Sequence, residues 1–318
     1  METNQNKPLQ ILETDDPLDI RKDIVFKAVF TRETSKARQA LSRLVSALIG
    51  KTVLIEAIWA NEPPVENIGD GQTRFDINCR AEDGERINVE MSFDPKPYEP
   101  VRLELYTSRL YSGQDIKGRK KNYYDLKRTY QIAILSKKRF FDDDEFLHTF
   151  EYYDPVCRMP LKGKTRIITL ELVKVKRFSG KTAVEMSAPE LWAYYFQYLT
   201  DKSKRDKINK IAEQEQGITM ANEVLLTISR DEIERSRLLS QEKYILDRQS
   251  EMVYERRRGI KIGKKRGEVI GEERGLKRGK VIGEERGIKK GIAKGEQKII
   301  ELLKSGKSAE EIIREYGG

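Results

Sequence analysis

Asp76 and Glu90 stand in a stretch that otherwise alternates apolar and polar residues, and the alternation allows their relative position to be worked out. Residues 73–81 (TRFDINCRA) and 85–93 (ERINVEMSF) each read as a strand, joined by Glu82-Asp83-Gly84. A two-residue turn at Asp83-Gly84 would set Ile77 opposite Glu90 and Asp76 opposite Met91. A three-residue loop, a type I turn with Gly84 left-handed, sets Phe75 against Met91, Ile77 against Val89 and Cys79 against Ile87. The other face then holds Arg74 with Ser92, Asp76 with Glu90, Asn78 with Asn88 and Arg80 with Arg86. A one-residue slip exchanges the faces, so the polarity pattern selects the three-residue loop. Two carboxylates then face each other with Cβ atoms about 5 Å apart. Like charges that close repel unless compensated, and a divalent cation is one compensation. A solvated polar face balanced by Arg74 and Arg80 is the other.

Composition limits which ion that could be. The 318 residues include one histidine, His148, and two cysteines, Cys79 and Cys157. These are too few for a thiolate zinc site, a His-rich centre or a disulfide scaffold. A metal here must be held by oxygen, which selects Mg²⁺ or a similarly hard cation. The N-terminus is polar, and no apolar run approaches the ~18 residues of a membrane span. The expectation is a cytoplasmic protein without membrane contact.

Charged residues make up 36% of the chain, well above the ~25% of an average domain. The net +9 is concentrated: residues 251–300 hold 16 Lys and Arg against 8 Asp and Glu, a net +8, leaving +1 for the rest. In that segment glycine recurs at every fourth position, from Gly259 to Gly295, and Val-Ile-Gly-Glu-Glu-Arg-Gly occurs twice. A four-residue step advances about 400° on a helix, so the glycines wind slowly around it as a right-handed stripe. Such a stripe lets two helix backbones approach closely, which points to a homo-oligomer or to a helix lying along an acidic polymer. A solvated helical tether is the alternative. Farther on, Gly306-Lys307-Ser308 is not a phosphate-binding loop, because Glu301 stands where that motif needs glycine. Ser308-x-x-Glu311 instead reads as a capping box opening a short helix over 309–316.

The elements that must position the acids can be read in outline. Apolar residues at Ala37, Ala40, Leu41, Leu44, Val45 and Leu48 follow the helical period, with Gly50 as the stop. Strands are expected at 52–59, 130–136, 147–153 and 166–175, with a loop at 61–72 and a helix over 101–112. Further helices are expected over 190–200 and 203–214, with a long one from 220 towards 258. Trp192, Tyr194, Tyr195, Phe196 and Tyr198 form an aromatic helix too dense to be wholly exposed. The pattern is α/β (α+β): a core sheet flanked by helices, then a helical extension and the charged glycine-repeat tail.

Several segments also carry a family resemblance: Asp23-Ile-Val-Phe-Lys-Ala-Val-Phe30, Arg74-Phe-Asp-Ile77, Ile87-Asn-Val-Glu-Met91, and Arg102 to Tyr111. Gly118, Tyr123-Tyr-Asp-Leu126, Tyr130-Gln-Ile-Ala-Ile-Leu135 and the glycine-punctuated tail continue it. Together they resemble the Rpn-type recombination-promoting nucleases, or transposases, of the PD-(D/E)XK superfamily. The resemblance implies a restriction-endonuclease-like core over 17–178, after a disordered segment at 1–16. A helical extension over 179–254, the repeat over 255–298 and short helices over 299–318 would complete the chain. It implies Mg²⁺-dependent DNA cleavage in recombination or mobile-element biology. Asp76 would be the central metal ligand, Glu90 the second acid and Asp23 an auxiliary carboxylate. The family places Lys or Gln two residues after the second acid, where this chain has Ser92. Arg74 or Lys96 would then substitute, or the protein would be a nuclease-fold relative that binds DNA or assembles without cutting. Lys117, Arg119, Lys120 and Lys121, in a basic loop next to Tyr123 and Tyr124, are expected to meet the DNA backbone, with Arg102 and Arg109 from the preceding helix.

Overall fold

The computed structural model describes residues 10–59, 76–114 and 122–316, with backbone alone at 245–247 and 249. Helices α1 (Asp23–Phe30) and α2 (Ser35–Ile49) lead into strand β1 (Ile55–Trp59), then the hairpin β2 (Ile77–Ala81) and β3 (Arg86–Ser92). Helix α3 (Glu99–Ser112) crosses over to β4 (Thr129–Leu135), followed by β5 (Leu147–Phe150). A small ribbon, β6 (Tyr153–Asp154) and β7 (Met159–Pro160), precedes β8 (Thr165–Glu171). Six strands form one mixed sheet in the order β1-β2-β3-β4-β8-β5. The β3–β4 and β4–β8 pairings are parallel and the other three antiparallel.

The hairpin adopts the register that its polarity pattern selects. Gly84 has φ 87°, its N–H donates to the Ala81 carbonyl at 2.8 Å, and Ala81 N–H donates to the Glu85 carbonyl at 3.0 Å. Only glycine reaches that φ without strain. Ile77 therefore pairs with Val89, Asn78 with Asn88, Cys79 with Ile87 and Arg80 with Arg86.

Each face of the sheet has its own cover. Ile77, Cys79, Ile87, Val89, Tyr130, Ile132, Ile134, Ile168 and Leu170 join the main core with α1 and α2. Helices α4 (Ala188–Tyr198), α5 (Arg205–Gln214) and α6 (Gln216–Arg230) complete that core. On the opposite face Ala133, Leu135 and Ile167 pack under Leu103 of α3. The aromatic helix is buried as its density implied: Phe196 packs against Phe26 and Phe30 of α1, and Trp192 against Phe30, edge-on or tilted, with ring centroids 6.0–6.4 Å apart.

Helix ends obey local chemistry. Thr34 caps α2 by accepting from Ala37 N–H at 3.2 Å, and Gly50, at φ 78°, ends it. Ser187 and Glu190 form a capping box at the start of α4. Two expectations need correction. The helix expected from 220 to 258 is interrupted at Asp231, which is extended (φ −79°, ψ 110°). Its carboxylate accepts Glu234 N–H at 2.8 Å, so it opens α7 (Glu232–Lys304). The strand expected over 166–175 stops at Glu171, and Leu172–Phe178 turns as a 3₁₀ helix. Leu172, Val175 and Phe178 are buried at three-residue spacing, which a 3₁₀ helix places on one side and a strand would split between two faces.

The chain divides into two compact units, Met1–Lys243 and Tyr244–Gly318. In the second, α7 runs unbroken through all ten repeat glycines. A Cβ added at any of them would meet nothing within 4 Å. Helix α8 (Ala309–Tyr316) carries the expected capping box: Ser308 N–H donates to Glu311 Oε2 at 2.9 Å, and Glu311 N–H to Ser308 Oγ at 3.3 Å. Among the described residues no helix is long and apolar enough to cross a membrane.

Gly217 behaves differently from the tail glycines. A Cβ there would lie 2.4 Å from Arg43 Cβ and 2.9 Å from Trp192 Cζ2, where α6 meets α2 and α4. Gly217→Ala is expected to destabilise the first unit by about 1–3 kcal/mol, measured as a lower urea midpoint. Gly271→Ala should instead strengthen its helix by about 1 kcal/mol, seen as increased helical circular dichroism. A Gly217→Ala chain as stable as the parent would show that α6 can move aside at little cost.

Candidate active site

Asp76 lies one residue before β2, and its Oδ2 accepts the Met91 backbone N–H at 3.3 Å. The acid is thereby tied to the strand that carries Glu90. Asp23 opens α1, and the i,i+4 spacing brings Lys27 onto the same side of that helix. Val25, Phe26, Val29 and Phe30 of the same helix are buried in the core. Lys27 Nζ then lies 3.0 Å from Asp23 Oδ2 and 3.0 Å from Asp76 Oδ1. One ammonium bridges two acids.

Glu90 sits within β3, opposite Ala133 of β4, and is almost fully buried. Its Oε1 accepts from Asn88 Nδ2 at 3.0 Å, and that amide also donates to Gln131 Oε1 at 3.0 Å. From α3, Arg102 places Nη2 3.0 Å from Glu90 Oε2 and also pairs with Glu99. The Tyr106 ring lies beneath the Arg102 guanidinium, 5.3 Å away.

Burial dominates the electrostatics. It pushes Glu90 up to about 8, Arg102 opposing the shift and the charge of Asp76 adding to it. Burial, reinforced by Asp23 and opposed by Lys27, pushes Asp76 up to about 7. For Lys27 burial disfavours the charged form, but Asp76 and Asp23 outweigh it and the ammonium is held above its ordinary range. Glu90 thus feels the charge of Asp76 across the end of the hairpin.

The remaining candidates separate. Ser92 closes β3 beside Leu135, and its carbonyl accepts Ser136 N–H at 2.9 Å. Lys96 pairs with Asp94, and Lys138 Nζ holds the same Asp94 at 2.6 Å. Arg102 is engaged by carboxylates, and Arg109 is exposed on α3. Arg74, Lys117, Arg119, Lys120 and Lys121, like the loop expected at 61–72, lie outside the described residues. Gln114 Nε2 donates to the Lys127 carbonyl at 3.0 Å, and Lys127 N–H to Gln114 Oε1 at 2.8 Å. Tyr123 and Tyr124 are exposed beside this pair. An apolar cavity of about 260 Å³ lies between α3, β5 and β8, lined by neither Asp76 nor Glu90.

Sequence reasoning missed Lys27 and Gln131. Gln131 had a signal, as the polar residue inside Tyr-Gln-Ile-Ala-Ile-Leu. For Lys27 the spacing from Asp23 was visible, but not the docking of α1 against the hairpin.

The acids suit a hard divalent ion. Burial raises both, Asp23 adding to the shift of Asp76 and Asp76 to that of Glu90, a cost that a bound cation would relieve. Asp23 Oδ1 is a further buried acceptor without a hydrogen bond. Among the described residues no three His, Cys, Asp or Glu side chains gather into a metal-ligating group. Asp76 and Glu90 would supply carboxylates, with water and phosphate oxygens completing the shell, as is usual for Mg²⁺.

Residues 20–255 match the family model described as PD-(D/E)XK nuclease family transposase. No curated protein and no solved structure matches the chain.

Proposed function

Because the chain belongs to the PD-(D/E)XK nuclease family transposases, we propose that it is a Mg²⁺-dependent DNA endonuclease acting in recombination or on mobile elements. The observation that supports this most is the pair Asp76, half-buried, and Glu90, buried, both raised by desolvation. Bound there, Mg²⁺ would supply Lewis acidity and a water of lowered pKa. Asp76 and Glu90 would hold it. Met91 N–H fixes the Asp76 carboxylate, while Asn88 and Arg102 fix that of Glu90 from two sides. Hydrolysis forms one P–O bond from water and breaks the P–O bond to the leaving sugar oxygen.

Incubation with supercoiled plasmid tests the reading: nicked and linear DNA should appear with Mg²⁺ and not in EDTA. No product at any Mg²⁺ or Mn²⁺ concentration would leave the second reading, a nuclease-fold protein that binds without cutting. That reading has its own support, since Lys27 and Arg102 already pair with the acids and Ser92 is short. The tail is the proposed contact between copies of the chain. Sedimentation of a chain ending at Ser250 should show a lower assembly state than the full chain, and equal states exclude association through the repeat.

A further inference from the structure

The nuclease reading leaves open which group meets the charge that develops on the phosphate. The reaction gathers negative charge on the non-bridging oxygens beside Asp76, and a fixed cation there lowers the barrier more than one recruited from water. Ser92 shares the Glu90 face of β3, but its hydroxyl carries no charge and is short. Lys96 is paired with Asp94, and Arg102 is held by Glu90 and Glu99. Among the described residues the lysine that reaches Asp76 is Lys27, and it arrives from a helix rather than from the hairpin.

We propose that Lys27 is a catalytic residue of this site, an ammonium parked between Asp23 and Asp76 that turns to a non-bridging oxygen of the scissile phosphate when DNA enters. Three observations carry it. Nζ lies 3.0 Å from each carboxylate, so it sits where a phosphate held at Asp76 would come within hydrogen-bond reach. The side chain is one-quarter exposed, so it is open to a ligand. Its helix is anchored in the core, with Phe26 and Phe30 buried and Phe26 packed against Phe196 of α4 at 6.0 Å. Asp23 has a defined part as the second anchor, holding the ammonium aimed while Asp76 is shared. Lys27 stays protonated throughout. The attacking water gives its proton to solvent and the leaving oxygen takes one from solvent, so charge and atoms balance.

The inference rests on the nuclease reading, so its test has a second readout. Full-length parent, Lys27→Gln, Ser92→Lys and the double variant are compared by plasmid cleavage at saturating Mg²⁺ and by calorimetric titration with Ca²⁺. Lys27→Gln should lose cleavage about 100-fold or more. The double variant should recover at least about tenfold of that loss, because a lysine at position 92 extends from the Glu90 face of β3. Ca²⁺ affinity should rise about tenfold in Lys27→Gln, since a positive charge beside Asp76 is removed. A parental rate in Lys27→Gln, a loss that Ser92→Lys does not recover, or unchanged Ca²⁺ affinity overturns the assignment. Urea midpoints report the fold. If Lys27→Gln is unfolded, Lys27→Arg replaces it, keeping the charge but not the compact ammonium, and should cleave more slowly than the parent. A parent that cuts nothing overturns the nuclease reading. The Ca²⁺ titration then still decides whether Lys27 shares Asp76 with a divalent ion.

Discussion

Asp76→Ala is expected to reduce Mg²⁺-dependent nicking of supercoiled plasmid by at least about 100-fold, and to leave the core intact. The expectation comes from how many roles one carboxylate fills. Asp76 receives the Met91 N–H, faces Lys27, and raises Glu90 through its charge. Alanine removes all three, and with them one of the two acids proposed to hold the ion. The core should tolerate the change because Asp76 lies outside the strand ladder, which begins at Ile77. Asp76→Asn is the sharper variant, since its side-chain oxygen can still accept from Met91 while the negative charge is gone. Both should be inactive if the charge matters, whereas an active Asn variant would assign Asp76 to positioning of the strand alone. Nicking at the parental rate by Asp76→Ala would remove Asp76 from the site.

The hairpin was legible because two independent signals agreed. Period-2 alternation on both strands and Gly84 at the one position that needs a left-handed residue left a single register, which the backbone adopts. Helix α2 and the Ser308–Glu311 box were legible for the same reason: periodicity and caps coincide within a few residues. The failures share a different cause. Asp231 breaks a helix whose periodicity continues on either side, through a single side chain that caps α7. Leu172, Val175 and Phe178 obey a three-residue period that a search for strands does not detect. At the site, the hairpin register that carries Asp76 and Glu90 is local and readable. The arrival of Lys27 and Arg102 depends on how α1 and α3 dock, which no spacing within either helix encodes. Arg102 was expected at phosphate, and the pairing with Glu90 across the α3–sheet interface is a tertiary fact.

Glu90→Gln is expected to stabilise the metal-free chain at pH 8.5 and to change little at pH 5. Both acids of the site are raised: Glu90 from 4.5 to about 8 and Asp76 from 3.8 to about 7. A raised carboxylate binds its proton more tightly in the folded chain than in the unfolded one. Its contribution is therefore complete below the unfolded pKa and lost as pH rises through the folded value. For this chain the loss runs from about pH 4 to about pH 8. Glutamine has the shape of the protonated acid and cannot ionise, so the variant keeps the low-pH state of Glu90 at every pH. Arg102 still has Glu99, as it does when Glu90 is protonated. Urea midpoints at pH 5, 7 and 8.5 in EDTA should fall steadily for the parent and less steeply for Glu90→Gln. Millimolar Ca²⁺ at pH 8.5 should then raise the parent's midpoint by mass action and leave the variant's nearly unchanged. A parent whose stability is flat or rising over this range would mean that the acids ionise without cost. The pair would then be a solvated polar face balanced by its neighbouring bases, and the case for an ion at Asp76 and Glu90 would lose its physical basis.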